Sequence, residues 1–139
     1  MKKYLVPVLA VLALPTAVLT AHTAAAADAK PSSALATMEV AGQQYKVRLT
    51  DPAVIEQAER LLRGDNSSES IPHGAIVRSP SPDNPGYSWH IDPADFRFSA
   101  VSSIDCDGPP SQVEDRTVGR YGYHCPWGAQ VVALDKVTS

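Results

Sequence analysis

The segment DPAVIEQAERLLRG, Asp51 to Gly64, carries a start signal, an apolar stripe and a stop signal in mutual register. It therefore defines one helix against which the rest of the chain must pack. Thr50 or Asp51 offers a side-chain oxygen to the orphan amides of the first turn, and Pro52 has the fixed φ that a first turn accepts. Val54, Ile55, Ala58, Leu61 and Leu62 then recur at helical spacing and form one apolar face. Glu56 and Arg60, and Glu59 and Arg63, are i,i+4 pairs in the favourable order, each worth a few tenths of a kcal/mol. Gly64 stands where a left-handed residue ends a helix.

Outward from this helix the pattern turns to strands. Upstream, TMEVAGQQYKVRLT alternates, with Tyr45, Val47 and Leu49 on one face and Gln44, Lys46 and Arg48 on the other, and it admits a hairpin turning near Gly42. The KPSSALA stretch before it reads as a lead-in of little structural content. Downstream, DNSSES is a polar loop and IPHGAIVRS a short strand around Ala75, Ile76 and Val77. PSPDNPG is turn chemistry with no room for regular structure. YSWHID alternates with Tyr87, Trp89 and Ile91 inward and Ser88, His90 and Asp92 outward, and Pro93 is expected to stop it. FRFSAVSSIDC continues in β character with Phe96, Phe98 and Ala100 on one side. In DGPPSQVEDRTVG, Ser111 and Glu114 have capping-box spacing ahead of a short helix closed by Gly119, and a last strand runs from Gln130 to Leu134. The expected fold is α+β: a small antiparallel or mixed β-sheet on one main helix, with a short second helix and one disulfide.

The N-terminus reads as a secretory signal over residues 1–27. Lys2 and Lys3 precede an apolar run from Tyr4 to Leu19, and small residues follow that suit cleavage after Ala27 or Ala29. Pro15 interrupts the run, which is short for a bilayer span. The expectation is a secreted, extracellular protein with no stable membrane anchoring after cleavage. Residues 28–44 then form the lead-in and first strand, and residues 45–139 a single domain. Loss of the signal removes two lysines and no acid, so the formal charge moves from −3 to −5. No basic stripe interleaved with aromatics is present, which argues against nucleic acid as a partner. About 110 residues suffice for one core, yet so small a domain gains from a covalent staple.

The chain has two cysteines, Cys106 and Cys125. In an exported chain an even count reads first as a disulfide. A structural zinc site needs four ligands, and the scattered His73, His90 and His124 lack the close ligand pairs such sites use. A thiol nucleophile would have to remain reduced outside the cell. Period-two alternation at Asp105-Cys106-Asp107 would send both carboxylates to one face. With Glu114 and Asp115, or Asp92 and Asp95, they would suit calcium, although no D-x-D-x-D-G loop is present and a solvated acidic edge is the simpler reading. Otherwise no cofactor is implied. Ser88, His90 and Asp92 share one strand face, whereas hydrolytic triads assemble from separate elements. Trp89 and Trp127, with Tyr87, Tyr121 and Tyr123, would either cover the core or line a binding surface. Arg63-Gly64-Asp65 matches an adhesion tripeptide but falls where the helix end needs a glycine. Asn66-Ser67-Ser68 is a glycosylation sequon on a loop.

The pieces LTDPAVIEQAERLLRG, IPHGAIVRSP, NPGYSWHIDP, IDCDGPPSQVE and GYHCPWGAQVV, spanning about Tyr45 to Val132, resemble the family named after the N-terminal domain of a slime-mould calmodulin-binding protein, which has small secreted bacterial relatives. Trp89-His90-x-Asp92-Pro93, Cys106-Asp107-Gly108 and Cys125-Pro126-Trp127 carry the resemblance most specifically. It implies architecture: one compact secreted domain stapled between the two cysteine motifs. Calmodulin binding does not transfer, because the chain has no basic amphipathic helix of the kind such targets use. The expected function is a non-enzymatic binding module for an extracellular protein or glycan, with Trp89, His90, Asp92, Asp105, Asp107, His124 and Trp127 as candidate surface residues. The alternatives are a protease inhibitor acting through the Pro-rich loop Ser79 to Gly86, or a small hydrolase or metal-binding protein using His90, His124 and the acidic cluster.

Overall fold

A computed structural model describes residues 32–137. The signal segment 1–27 lies outside the described residues. The elements follow in the order β1 (Ser33–Val40), β2 (Gln43–Leu49), α1 (Pro52–Leu62), β3 (Ile71–Val77), β4 (His90–Ser99), α2 (Pro110–Glu114), β5 (Tyr123–His124) and β6 (Gln130–Val137). They build two three-stranded antiparallel sheets, ordered β2-β1-β6 and β4-β3-β5. The fold is α+β with α1 as its main helix and Cys106–Cys125 as its disulfide.

Helix α1 forms as its sequence dictates. Asp51 is the N-cap, its carboxylate accepting the Ala53 amide at 2.8 Å, and Pro52 opens the first turn. Ile55 and Ala58 are buried, Val54 and Leu61 pack against the core, and Leu62 reaches solvent. Glu56 pairs with Arg60, whereas Glu59 turns from Arg63 to Lys136 on β6 and so ties the helix to that strand.

The KPSSALA stretch is no mere lead-in. From Ser33 it forms the central strand of the first sheet, flanked by β2 and β6 in one continuous unit with the rest of the domain. Ala34, Ala36 and Met38 stand opposite Leu49, Val47 and Tyr45, all six buried on one face. Ala41 and Gly42, at φ 52° and 73°, make the connecting turn, a conformation matched to the twist of a two-residue hairpin.

Pro93 does not end its strand either. In the β3–β4 register Gly74 faces Phe96 and Ile76 faces Ile91, so β4 bulges over Asp92 to Asp95. A bulge is where a strand tolerates a residue without an N–H, and Pro93 sits in it. The bulge folds back closely on β3: a Cβ at position 74 would lie 2.4 Å from Ile91 Cγ2 and 3.1 Å from the Asp95 carbonyl, so only glycine fits.

Helix α2 starts two residues earlier than the capping box requires. Pro109 is its N-cap with no side-chain cap bond, and Ser111 lies within the helix. Glu114 instead accepts the Ser88 amide at 3.0 Å and the Ser88 hydroxyl at 2.8 Å. The two sheets and both helices share one core, in which Met38, Tyr45, Leu49, Ile55, Trp89, Ile91, Phe98 and Val113 are the larger members. Burial of such side chains contributes about 1.5 to 3 kcal/mol each.

Candidate functional site

The candidate residues separate into three groups: Trp89 and His124 inside the core, His90 and Asp92 on β4, and Asp105, Asp107 and Trp127 around the disulfide. Trp89 and His124 belong inside, not on the surface: Trp89 is fully buried and His124 is 1% exposed. The His124 ring lies 5.0 Å from that of Tyr45 and 5.5 Å, edge-on, from that of Trp89. Its Nε2 is 2.9 Å from the Gly108 carbonyl, which can only accept a hydrogen bond and so places the N–H on Nε2. Nδ1 is buried without a partner. Burial pushes the imidazole pKa down to about 4, against a smaller opposing pull from the Gly108 bond, so the ring is neutral.

The Ser88, His90 and Asp92 face is dispersed among structural partners. Ser88 bonds to Glu114, His90 Nδ1 lies 2.8 Å from the Ser79 carbonyl, and Asp92 accepts the amide of Ala94 at 2.9 Å. His90 thus closes the loop between β3 and β4. That loop is held down. Asn84, 1% exposed, accepts the Lys46 amide at 2.9 Å and donates to the Trp89 carbonyl at 3.1 Å. Asp83 forms a two-point ion pair with Arg48 on β2, which lowers the carboxyl pKa. The Pro-rich segment is therefore clamped against β2 through its middle residues.

Asp105 and Asp107 do not share a strand face, because residues 104–106 form a turn after β4 has ended. Asp107 accepts the Trp127 amide at 2.6 Å. Among the described residues no three His, Cys, Asp or Glu side chains are disposed to hold a metal ion.

The disulfide joins the turn after β4 to the residue after β5, with Cα atoms 5.0 Å apart across a sequence separation of 19. Hydrogen bonds surround it. The Cys125 amide donates to the Cys106 carbonyl at 2.7 Å, the Ser102 hydroxyl to the Cys125 carbonyl at 2.8 Å, and the Gly119 amide to the Asp105 carbonyl at 3.0 Å. On this frame stand Val101, Ile104, Tyr121, Tyr123 and Trp127, all exposed; Trp127 is 72% exposed and Tyr121 75%. Beside the staple, His73, Ser103, Asp105, Cys106, Tyr121 and Tyr123 line a cavity of about 220 Å³. The His73 ring lies 5.2 Å from that of Tyr123, and burial, with Arg97 nearby, lowers its pKa.

A larger groove, about 580 Å³, runs between the end of α1 and the turn before β6. Gly64 and Asp65 line it, while Arg63 caps the helix through its amide. Neither cavity is lined by His90 or His124.

The family model of the calmodulin-binding protein 74 N-terminal domain matches residues 32–138. The chain belongs to that family. The match takes in β1 and all of β6, beyond the Tyr45 to Val132 span of the quoted motifs, in agreement with β1 as the central strand. No curated protein and no solved structure matches the chain. In this member of the family the distinctive motifs serve the fold and the staple: Trp89 fills the core, Asp92 and Pro93 shape the bulge, and Asp107 fixes the backbone at Trp127. Sequence reasoning missed His73 and Ser103 as cavity residues. Only Tyr121 and Tyr123, an i,i+2 aromatic pair beside Cys125, gave a local signal.

Proposed function

We propose that the chain is an exported, non-enzymatic binding module that grips an extracellular protein through the aromatic face around its disulfide. One observation carries the reading: of the eight large hydrophobic residues exposed among the described residues, five (Val101, Ile104, Tyr121, Tyr123 and Trp127) flank the staple. Scattered exposed apolar residues are normal, but a concentration of them around one crosslink, rich in Tyr and Trp, has the composition that protein interfaces use. The staple supports the same reading. It holds the two segments that carry these side chains, so little ordering entropy remains to be lost on binding, and its chemistry fits an oxidising compartment. The separate engagements of Ser88, His90 and Asp92, and the burial of His124, favour binding over hydrolysis.

The test compares the mature protein with a Tyr121→Ser, Trp127→Ser variant as bait in culture medium, alongside N-terminal sequencing of the exported chain. The proposal expects a protein retained by the first bait and lost with the second, and amide-exchange protection confined to residues 101–107 and 120–128 when that protein is bound. Equal retention by both baits, or protection on another face, would refute it.

A further inference from the structure

We propose that the cavity beside the disulfide receives a basic side chain, a lysine ammonium or arginine guanidinium, from the protein partner. This rests on the binding face argued above and specifies what its recess recognises. At about 220 Å³ the cavity falls below the roughly 300–1,000 Å³ of small-molecule sites, and a single side chain is the natural occupant. Two of its walls are tyrosine rings that the protein leaves open to solvent. The face of such a ring attracts a cation through its quadrupole.

The third wall supplies the charge. Asp105 has both backbone groups engaged, its amide with Ser103 Oγ and its carbonyl with the Gly119 amide. Asp105 lines the cavity with its backbone fixed by these bonds, and among the described residues its carboxylate takes part in no ion pair. An unpaired carboxylate that shares one recess with two tyrosines is complementary to a cation and repels an acidic group.

The nearby cations do not cancel this. His73 is the only basic residue lining the cavity, and burial keeps its ring neutral. Arg97, its neighbour across the sheet, is drawn 3.9 Å from Asp95. Arg120 is exposed and is not part of the lining. Residues 28–139 carry a formal charge of −5, which favours approach of a basic surface at low salt.

The experiment is an amide chemical-shift titration of the mature protein with three blocked tripeptides, Gly-Lys-Gly, Gly-Arg-Gly and Gly-norleucine-Gly, and with methyl glucoside as a saccharide probe. Saturable millimolar shifts at Asp105, Tyr121 and Tyr123 are expected with the lysine and arginine peptides alone. Asp105→Asn and Tyr121→Leu should each weaken binding up to about fivefold, while the remaining amide spectrum stays in place. Added salt should weaken the wild type and leave Asp105→Asn much less affected. Equal binding of the norleucine peptide, shifts with the glucoside but not the basic peptides, or an unaltered affinity in Asp105→Asn would overturn the proposal. If the basic peptides fail while the Tyr121→Ser, Trp127→Ser bait still loses the partner, the binding face stands and only its assigned ligand falls.

Discussion

Acidification from pH 7 to pH 4.5 should destabilise this domain, with His124 as the largest single contributor. The ring is enclosed by Tyr45 and Trp89, donates to Gly108, and has its pKa lowered to about 4 by burial, against the ordinary 6.5. Between these two values the unfolded chain binds a proton that the folded chain refuses, so stability rises with pH across that window. Stated for acid, the contribution is intact above about pH 6.5 and drains away as the pH falls toward 4. A difference of this size corresponds to about 3 kcal/mol in full, most of it gone by pH 4.5. The assay is urea unfolding at pH 7, 6, 5 and 4.5 for the wild type and His124→Gln, which keeps a donor for Gly108 but carries no charge. At pH 7 the variant should be less stable, because it loses aromatic packing, and its deficit should shrink by about 2 to 3 kcal/mol at pH 4.5. Carboxylates and His73 titrate in both proteins and cancel in the comparison. A deficit constant to about 0.5 kcal/mol over the whole range would refute a buried, neutral His124.

Asn84→Ala strips partners from the Lys46 amide and the Trp89 carbonyl, and each buried group left unpaired costs about 1 to 3 kcal/mol. Chemical denaturation should show a loss of about 2 to 5 kcal/mol, far above that of an ordinary loop residue. Gly74→Ala forces a methyl against Ile91 and the Asp95 carbonyl, and should lower stability by about 1 to 3 kcal/mol in thermal unfolding. Replacing Cys106 and Cys125 together by Ala should cost about 3 kcal/mol on the chain-entropy argument for a loop of this length, read as a lower urea midpoint.

What could be read from the sequence was whatever a local signal determined. Helix α1 needs only its own cap, stripe and glycine, and it forms as expected. Likewise Tyr45, Val47 and Leu49, and then Trp89 and Ile91, declare their inward face by alternation alone. The hairpin near Gly42 was legible, but the start of the first strand was not, because Ala34 and Ala36 carry little hydrophobic signal, yet small residues are what a central strand uses where larger side chains of its neighbours must meet over it. Pro93 misled for a related reason. Its tolerance depends on a bulge opposite Gly74, a fact about another strand. The Ser111 and Glu114 spacing lost to the proline pair before it and to Ser88, which competes for the same carboxylate across 26 residues. At the site, Tyr121 and Trp127 were candidates by type, but nothing in the order of residues distinguishes the buried His124 from the exposed Tyr123 beside it in a strand of two residues.

The position of the staple explains how the aromatic face is maintained. The core is well supplied by β1, β2, α1 and β4, and the disulfide lies apart from it, in a small cluster with Ile71. Residues 101–107 and 120–128 have no ladder of their own beyond the two pairs of β5 with β3. Stability of such segments is local, and without a crosslink they would open well before the core. Cys106–Cys125, with the bonds from Ser102 to Cys125 and from Trp127 to Asp107, joins them to each other. Exposed aromatics on mobile loops would cost order on binding and invite aggregation; on crosslinked loops they form a preorganised surface. The covalent bond thus supports the exposed aromatic surface more directly than the fold beneath it. Reduction should accordingly release amide-exchange protection at Cys106, Cys125 and Trp127 while leaving that of Val47 and Ala58 in place, and a simultaneous loss at all five would show instead that the staple holds the core.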